Sequence, residues 1–165
     1  EDGIRDHCVT GVQTCTLPIC KIYVVGGFKG QHLLTQGPAP VDSVEVYDPT
    51  TNAWSAGPPM LTARGFMGAA VLGGKLYVAG GANEEPLSSM EVFDPQTNAW
   101  TELAPMGTAR KELGLVAAQG KLYAVGGEKG DNILSTVEAY DPQQNRWEAA
   151  APLSGTRCAH AMVAI

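Results

Sequence analysis

The octet "YDPTTNAW" (Tyr47 to Trp54) returns as "FDPQTNAW" (Phe93 to Trp100) and again as "YDPQQNRW" (Tyr140 to Trp147), at steps of 46 and 47 residues. A fixed period of this kind constrains the fold more tightly than composition does. Each unit must build the same local structure and bury it against its neighbours. Other landmarks keep the step. "KIYVVGG", "KLYVAGG" and "KLYAVGG" start at Lys21, Lys75 and Lys121, while "PPMLTAR", "APMGTAR" and "APLSGTR" end on Arg64, Arg110 and Arg157. The frame is stretched once, between Gly27 and Val44, where 16 residues stand against 8 and 9 in the matching gaps. Such variation belongs in a loop.

Each unit reads as four strands. The first is apolar at consecutive positions (Leu76, Tyr77, Val78, Ala79), as for a strand buried on both faces, and stops at a glycine pair. The second, "SVEVY" or "TVEAY", ends at Asp-Pro, because proline cannot donate to a ladder. Asp-Pro-x-x-Asn is turn chemistry, with Asn suited to a left-handed position. A third strand opens on the Trp. The fourth follows the Arg as "GFMGAAVL", "ELGLVAA" or "CAHAMVAI"; its Gly and Ala suit a crowded axis where several strands converge. No segment shows helical periodicity. Four strands in about 40 to 50 residues is the period of a β-propeller blade.

Gly-Gly after an apolar strand, followed by Tyr-Asp-Pro, Asn and Trp at these offsets, resembles kelch repeats over residues 20–165. The resemblance implies an all-β fold, a partial kelch β-propeller of about three four-stranded antiparallel blades, with units 20–72, 73–119 and 120–165. It also implies that Tyr and Trp pack between blades. Kelch propellers close with more blades than three, so the chain is expected to be a fragment. Trp100, in the central unit, is expected to be better packed than Trp147.

Residues 1–19, "EDGIRDHCVTGVQTCTLPI", keep no period and resemble translated sequencing-library adapter, although Thr16 stands where Ala would be expected. A genuine polar tail or a divergent strand is the alternative. Of the net charge of −6, the tail holds −2 (Glu1, Asp2 and Asp6 against Arg5), leaving −4 for the repeats. That balance argues against nucleic acid. No stretch is long and apolar enough for a transmembrane helix. Outside the tail only Cys20 and Cys158 stand, without metal spacing or a disulfide framework. Sparse cysteine favours a cytoplasmic protein.

No catalytic constellation recurs. "GGFKG" lacks the phosphate-loop spacing and a following helix. His32 and His160 stand alone, His160 in an apolar strand as a packed histidine. Asp48, Asp94 and Asp141 read as turn formers. No cofactor and no metal are implied. Binding residues are expected on loops that a rigid scaffold presents. In a kelch propeller two loop sets open on one face. One carries Phe28, Lys29, Ala82, Asn83, Glu128 and Lys129; the other carries Arg64, Arg110, Lys111 and Arg157. The arginines admit two roles. Recurrence in every unit favours scaffold, for instance satisfying carbonyls at a strand entrance, whereas the bidentate fork suits partner carboxylates. The resemblance implies a protein-interaction module that binds a protein or peptide with acidic residues. It is similar to the substrate-recognition part of adaptors that reach a cullin-type ubiquitin ligase through an upstream domain. The alternative is a kelch-propeller enzyme, a metal-dependent oxidase or sugar isomerase, with its site on other blades.

Overall fold

In a computed structural model, which describes residues 21–29 and 39–165, the repeats form a succession of antiparallel sheets without helices among the described residues. The first sheet holds β1 (Ile22–Val25), β4 (Val44–Asp48) and β5 (Ala53–Gly57), with a small hairpin of β2 (Phe28–Lys29) and β3 (Ala39–Pro40) in its loop. The second runs β6 (Gly68–Leu72), β7 (Lys75–Ala79), β8 (Met90–Asp94) and β9 (Ala99–Leu103), in that spatial order. The third runs β10 (Gly114–Ala118), β11 (Lys121–Val125), β14 (Val137–Asp141) and β15 (Arg146–Ala150). A second hairpin, β12 (Glu128–Lys129) with β13 (Asn132–Ile133), stands in its loop. The strand after each Arg pairs with the first strand of the following unit, Gly68 opposite Ala79 and Gly114 opposite Val125. Sequence unit and sheet are therefore offset by one strand.

The repeated octet is a hairpin, and its residues divide the work. Tyr47 lies opposite Trp54, Phe93 opposite Trp100 and Tyr140 opposite Trp147. Their rings sit 5.2 to 5.3 Å apart in tilted pairs, a cross-strand arrangement that stabilises a sheet beyond simple burial. The Asp carboxylate of each turn accepts from a backbone amide two residues on, Thr50, Gln96 or Gln143, at 2.8–2.9 Å. Asn52, Asn98 and Asn145 all take φ between 48 and 54°, the left-handed conformation that Asn tolerates best among non-glycine residues. A lysine at the start of the first strand of each unit (Lys21, Lys75, Lys121) lies beside the same Asp, Lys75 at 2.8 Å from Asp94. That ammonium, with the Gln96 amide, holds the Asp94 carboxyl below its ordinary range.

Packing lies between sheets. Val44, Val46 and Met60 of the first unit meet Val78, Phe93 and Trp100 of the second. Tyr77, Met90, Val92 and Met106 meet Leu113, Leu115, Leu122 and Tyr140 in the same way. The second sheet, covered on both faces, buries four of five residues in β8. In the first sheet Ile22, Val24 and Trp54 are exposed. Each Trp reaches backwards: Trp100 Nε1 donates to Pro58 O at 2.9 Å and Trp147 Nε1 to Ala104 O at 2.9 Å. The expected order holds, Trp100 buried and Trp147 half-buried, yet Trp147 keeps a neighbour. The neighbour that matters lies before it in the chain, so Trp54 is the tryptophan whose indole has no inter-sheet partner among the described residues.

One expected strand is absent. "CAHAMVAI" (158–165) takes no strand conformation, whereas its counterparts β6 and β10 are each paired with the first strand of the following unit. The adapter-like residues 1–19, together with Cys20 and His32, lie outside the described residues.

Candidate functional site: the loop face

Between successive sheets the chain crosses through the "TAR" segment, and the arginine there faces both ways. Its carbonyl accepts from the sheet it leaves: Gly27 N donates to Arg64 O, and Gly81 N to Arg110 O, each at 2.9 Å. Its guanidinium reaches the sheet it approaches. Arg64 donates to the carbonyls of Gly80 and Ser89, the Ser89 hydroxyl and Glu91 Oε1, at 2.7–3.0 Å. Arg110 repeats the set on Gly126, Thr136 and Glu138, at 2.7–3.1 Å. The glycine pair is required here. A Cβ on Gly80, at φ +65°, would stand 2.5 Å from the Arg110 carbonyl, a separation that no side chain survives.

The acids complete the joint. Glu91 Oε2 accepts from Leu61 N at 2.7 Å, and Glu138 accepts from the amides of Gly107 and Thr108 at 2.6 and 3.2 Å. A carboxylate buried in a strand is costly unless paired and hydrogen-bonded, and here it is both. Arg64 and Arg110 are 0 % exposed. These two side chains therefore present no surface to a partner, and their place among the expected binding residues is corrected: they join sheets. Ala82 is also inside, its backbone bridged to Gly65 and Pro86.

The remaining candidates are on the face. Phe28 is half-buried and packs at a tilt against Phe66, ring centres 4.7 Å apart, with Phe66 51 % exposed. Gly65 admits this pair, since a Cβ there would collide with the Phe28 ring. Lys29, Asn83 and Lys129 are exposed. Asn83 Oδ1 accepts from the Glu84 amide at 2.7 Å, shaping its own turn. Lys111 pairs with Glu128 at 3.1 Å across a backbone bridge. Arg157 is exposed, and its guanidinium has no hydrogen-bond partner among the described residues.

Phe66 and Glu112 were not singled out by sequence reasoning. Phe66, Glu112 and Ala159 occupy the same place in successive units and all take left-handed φ, at 55, 54 and 49°. Glu112 N donates to Phe66 O at 2.7 Å and Ala159 N to Glu112 O at 2.9 Å. A backbone chain thus runs from unit to unit along the face. The detectable signal was position: each follows the recurrent Arg by two residues, and its identity changes every time.

Glu112, Glu128 and Cys158 bring one ligand atom each within 4.8 Å of one another. Burial first, then a hydrogen bond to Glu112 and the two nearby carboxylates, push the Cys158 thiol up. Lys111 already supplies a cation to Glu128. His160 is half-buried as expected, close to where Cβ atoms on Gly114 and Gly126 would fall.

Comparison with known proteins agrees with this architecture. The family profile "FKB95, Kelch-repeats domain" matches residues 13–164, beginning within the adapter-like segment. Human Kelch-like protein 35 is 39% identical over 64 residues, covering 39% of this chain and 10% of that protein. Influenza virus NS1A-binding protein homolog B of Danio rerio is 36% identical over 74 residues, covering 45% and 10%. The Influenza virus NS1A-binding protein homolog of Mus musculus is 41% identical over 63 residues, covering 38% and 9%. The matched stretches are thus about a tenth of the length of these relatives. The repeated hairpins, the inter-sheet packing and the match over most of its length show that the chain belongs to the kelch-repeat family.

Proposed function

We propose that this chain works by binding protein, and that the loop face receives a partner segment. The observation that carries the reading is the Phe28–Phe66 pair, an aromatic surface left half-open on a face whose other residues are polar. Exposed aromatic anchors surrounded by polar groups are the usual centres of recognition. With Arg64 and Arg110 inside the fold, a preference for acidic partners rests on Lys29, Lys129 and Arg157. The carboxylates of Glu84, Glu85 and Glu112 make the field mixed. The segment we propose carries an apolar or aromatic residue flanked by Asp or Glu.

Two of the relatives are named for binding another protein, which supports a binding role over catalysis. The likeness to a kelch-like protein favours the finer form of the reading. In that form the chain is the substrate-recognition part of a cytoplasmic adaptor that meets a cullin-type ligase through another domain. The test is a peptide library panned against the wild type, Phe66→Ser and Lys29→Glu/Lys129→Glu. The expected result is enrichment of aromatic-acidic peptides that Phe66→Ser loses and the lysine variant loses in part. Recovery of the same peptides by all three proteins would move the site off this face.

A further inference from the structure

The two joints between sheets share their bonds but not their bulk. Trp100 and Trp147 make the same Nε1 bond to a carbonyl behind them, and Glu91 and Glu138 accept from amides at the same place, those of Leu61 and Gly107. Yet at three positions the joint between the second and third sheets carries the smaller residue: Ala104 for Pro58, Gly107 for Leu61 and Ala149 for Glu102. Ala149 lies opposite Glu138 as Glu102 lies opposite Glu91. A groove of about 520 Å³ stands there, with Ala104, Gly107, Glu138, Trp147 and Ala149 among its walls. Trp147 is half-buried beside it, while Trp100 is buried at the fuller joint.

Both walls belong to the second and third sheets, and none of the lining residues is on the loop face. The long side is β15, whose residues 146–149 all line the groove. β15 is the outermost strand of the third sheet and pairs only with β14. Its other edge therefore carries backbone N–H and C=O groups with no strand partner among the described residues. The charges nearby are already met. Glu138 is satisfied by Arg110 and by the Gly107 and Thr108 amides, and Arg146 pairs with Glu148 along the strand.

We propose that this groove receives an extended segment of a partner protein, which adds a strand to the free edge of β15 and sets a leucine-sized apolar side chain against Trp147, over Gly107. The edge decides the class of ligand, because the alternating donors and acceptors of a strand are matched by another extended chain, while the space beside it selects the side chain. The size follows from the repeat: what the site lacks is the side chain that Leu61 supplies at the preceding joint. A half-open indole among small residues is the kind of anchor that carries binding. With its charges paired, the groove takes an uncharged segment, unlike the loop face with its free lysines.

The experiment pans displayed linear peptides against the whole chain and titrates those recovered, by fluorescence anisotropy, into wild type, Gly107→Leu, Ala149→Glu and Phe66→Ser. The first two variants borrow residues that the preceding joint already accommodates, and the last alters the loop face. Circular dichroism checks that each is folded. The expected result is a set of uncharged apolar peptides whose affinity falls at least about tenfold in Gly107→Leu and in Ala149→Glu. The same peptides should bind Phe66→Ser as they bind wild type, should be insensitive to salt, and should slow hydrogen exchange at the β15 amides. A library that yields no such set overturns the proposal, as does binding that leaves β15 exchange unchanged. Self-association of the chain that Gly107→Leu abolishes would give the groove to a second copy and overturn it equally.

Discussion

Arg110 and Arg157 share a place in the repeat and a carbonyl bond to a glycine amide, yet one is wholly buried and the other lies open. The difference is made by what lies ahead. Arg110 finds Gly126, Thr136 and Glu138 in the third sheet; Arg157 has no sheet ahead of it among the described residues. A repeat residue therefore has no intrinsic role. The neighbouring unit turns a long cationic side chain into a structural joint or leaves it as surface.

The comparison breaks or holds on a few measurements. The largest effect is expected at the closed joint. Arg110→Ala leaves Glu138 buried without its cation and should cost about 3–5 kcal/mol in urea unfolding. Arg157→Ala should change stability by less than about 0.5 kcal/mol, the range of ordinary surface substitutions. Equal costs would mean that the joint does not depend on the arginine. Next come the tryptophans. Trp100→Ala is expected to cost about 3–5 kcal/mol, as for a buried aromatic, with Trp147→Ala somewhat less and Trp54→Ala below about 1 kcal/mol. A large loss at Trp54 would show that its face is covered in solution.

A smaller effect concerns alkali. Burial first, then Tyr77 and Asp141, raise Tyr140 to about 12, whereas an unfolded tyrosine ionises near about 10. Between those values the unfolded chain binds fewer protons than the folded one, so stability should fall as pH rises. Tyr140→Phe, the residue that unit two carries at Phe93, should flatten that decline. A slope the same in both proteins would place the loss elsewhere. The smallest effect is expected for deletion of residues 1–19, which should move the thermal midpoint by no more than about 1 °C; a clear drop would show that they belong to the fold.

Much of this architecture was legible because it is local and repeated. The Asn of each octet reads directly as a left-handed turn residue, and Gly-Gly as a strand end. The joint was harder. Whether an arginine faces solvent or a neighbouring sheet depends on contacts 27 or 28 residues away, as in Arg64 with Glu91 and Arg110 with Glu138. A clue did exist. Glu45, Glu91 and Glu138 recur in the middle of apolar strands, and an acid there calls for a cation. The recurrent arginine was the available one. The direction in which Trp147 packs was hidden for another reason, since the repeat is the same read toward either neighbour.

The backbone chain through Phe66, Glu112 and Ala159 carries a lesson for variation. Its coupling between units runs through amides and carbonyls, which every residue but proline supplies in full. Within this one chain the position holds an aromatic ring, an acid and a methyl group without change of φ. Conformation is fixed where chemistry is free. A position of that kind lets a binding surface be rewritten unit by unit while the scaffold beneath it stays the same, and it marks where a randomised library would spend its diversity best.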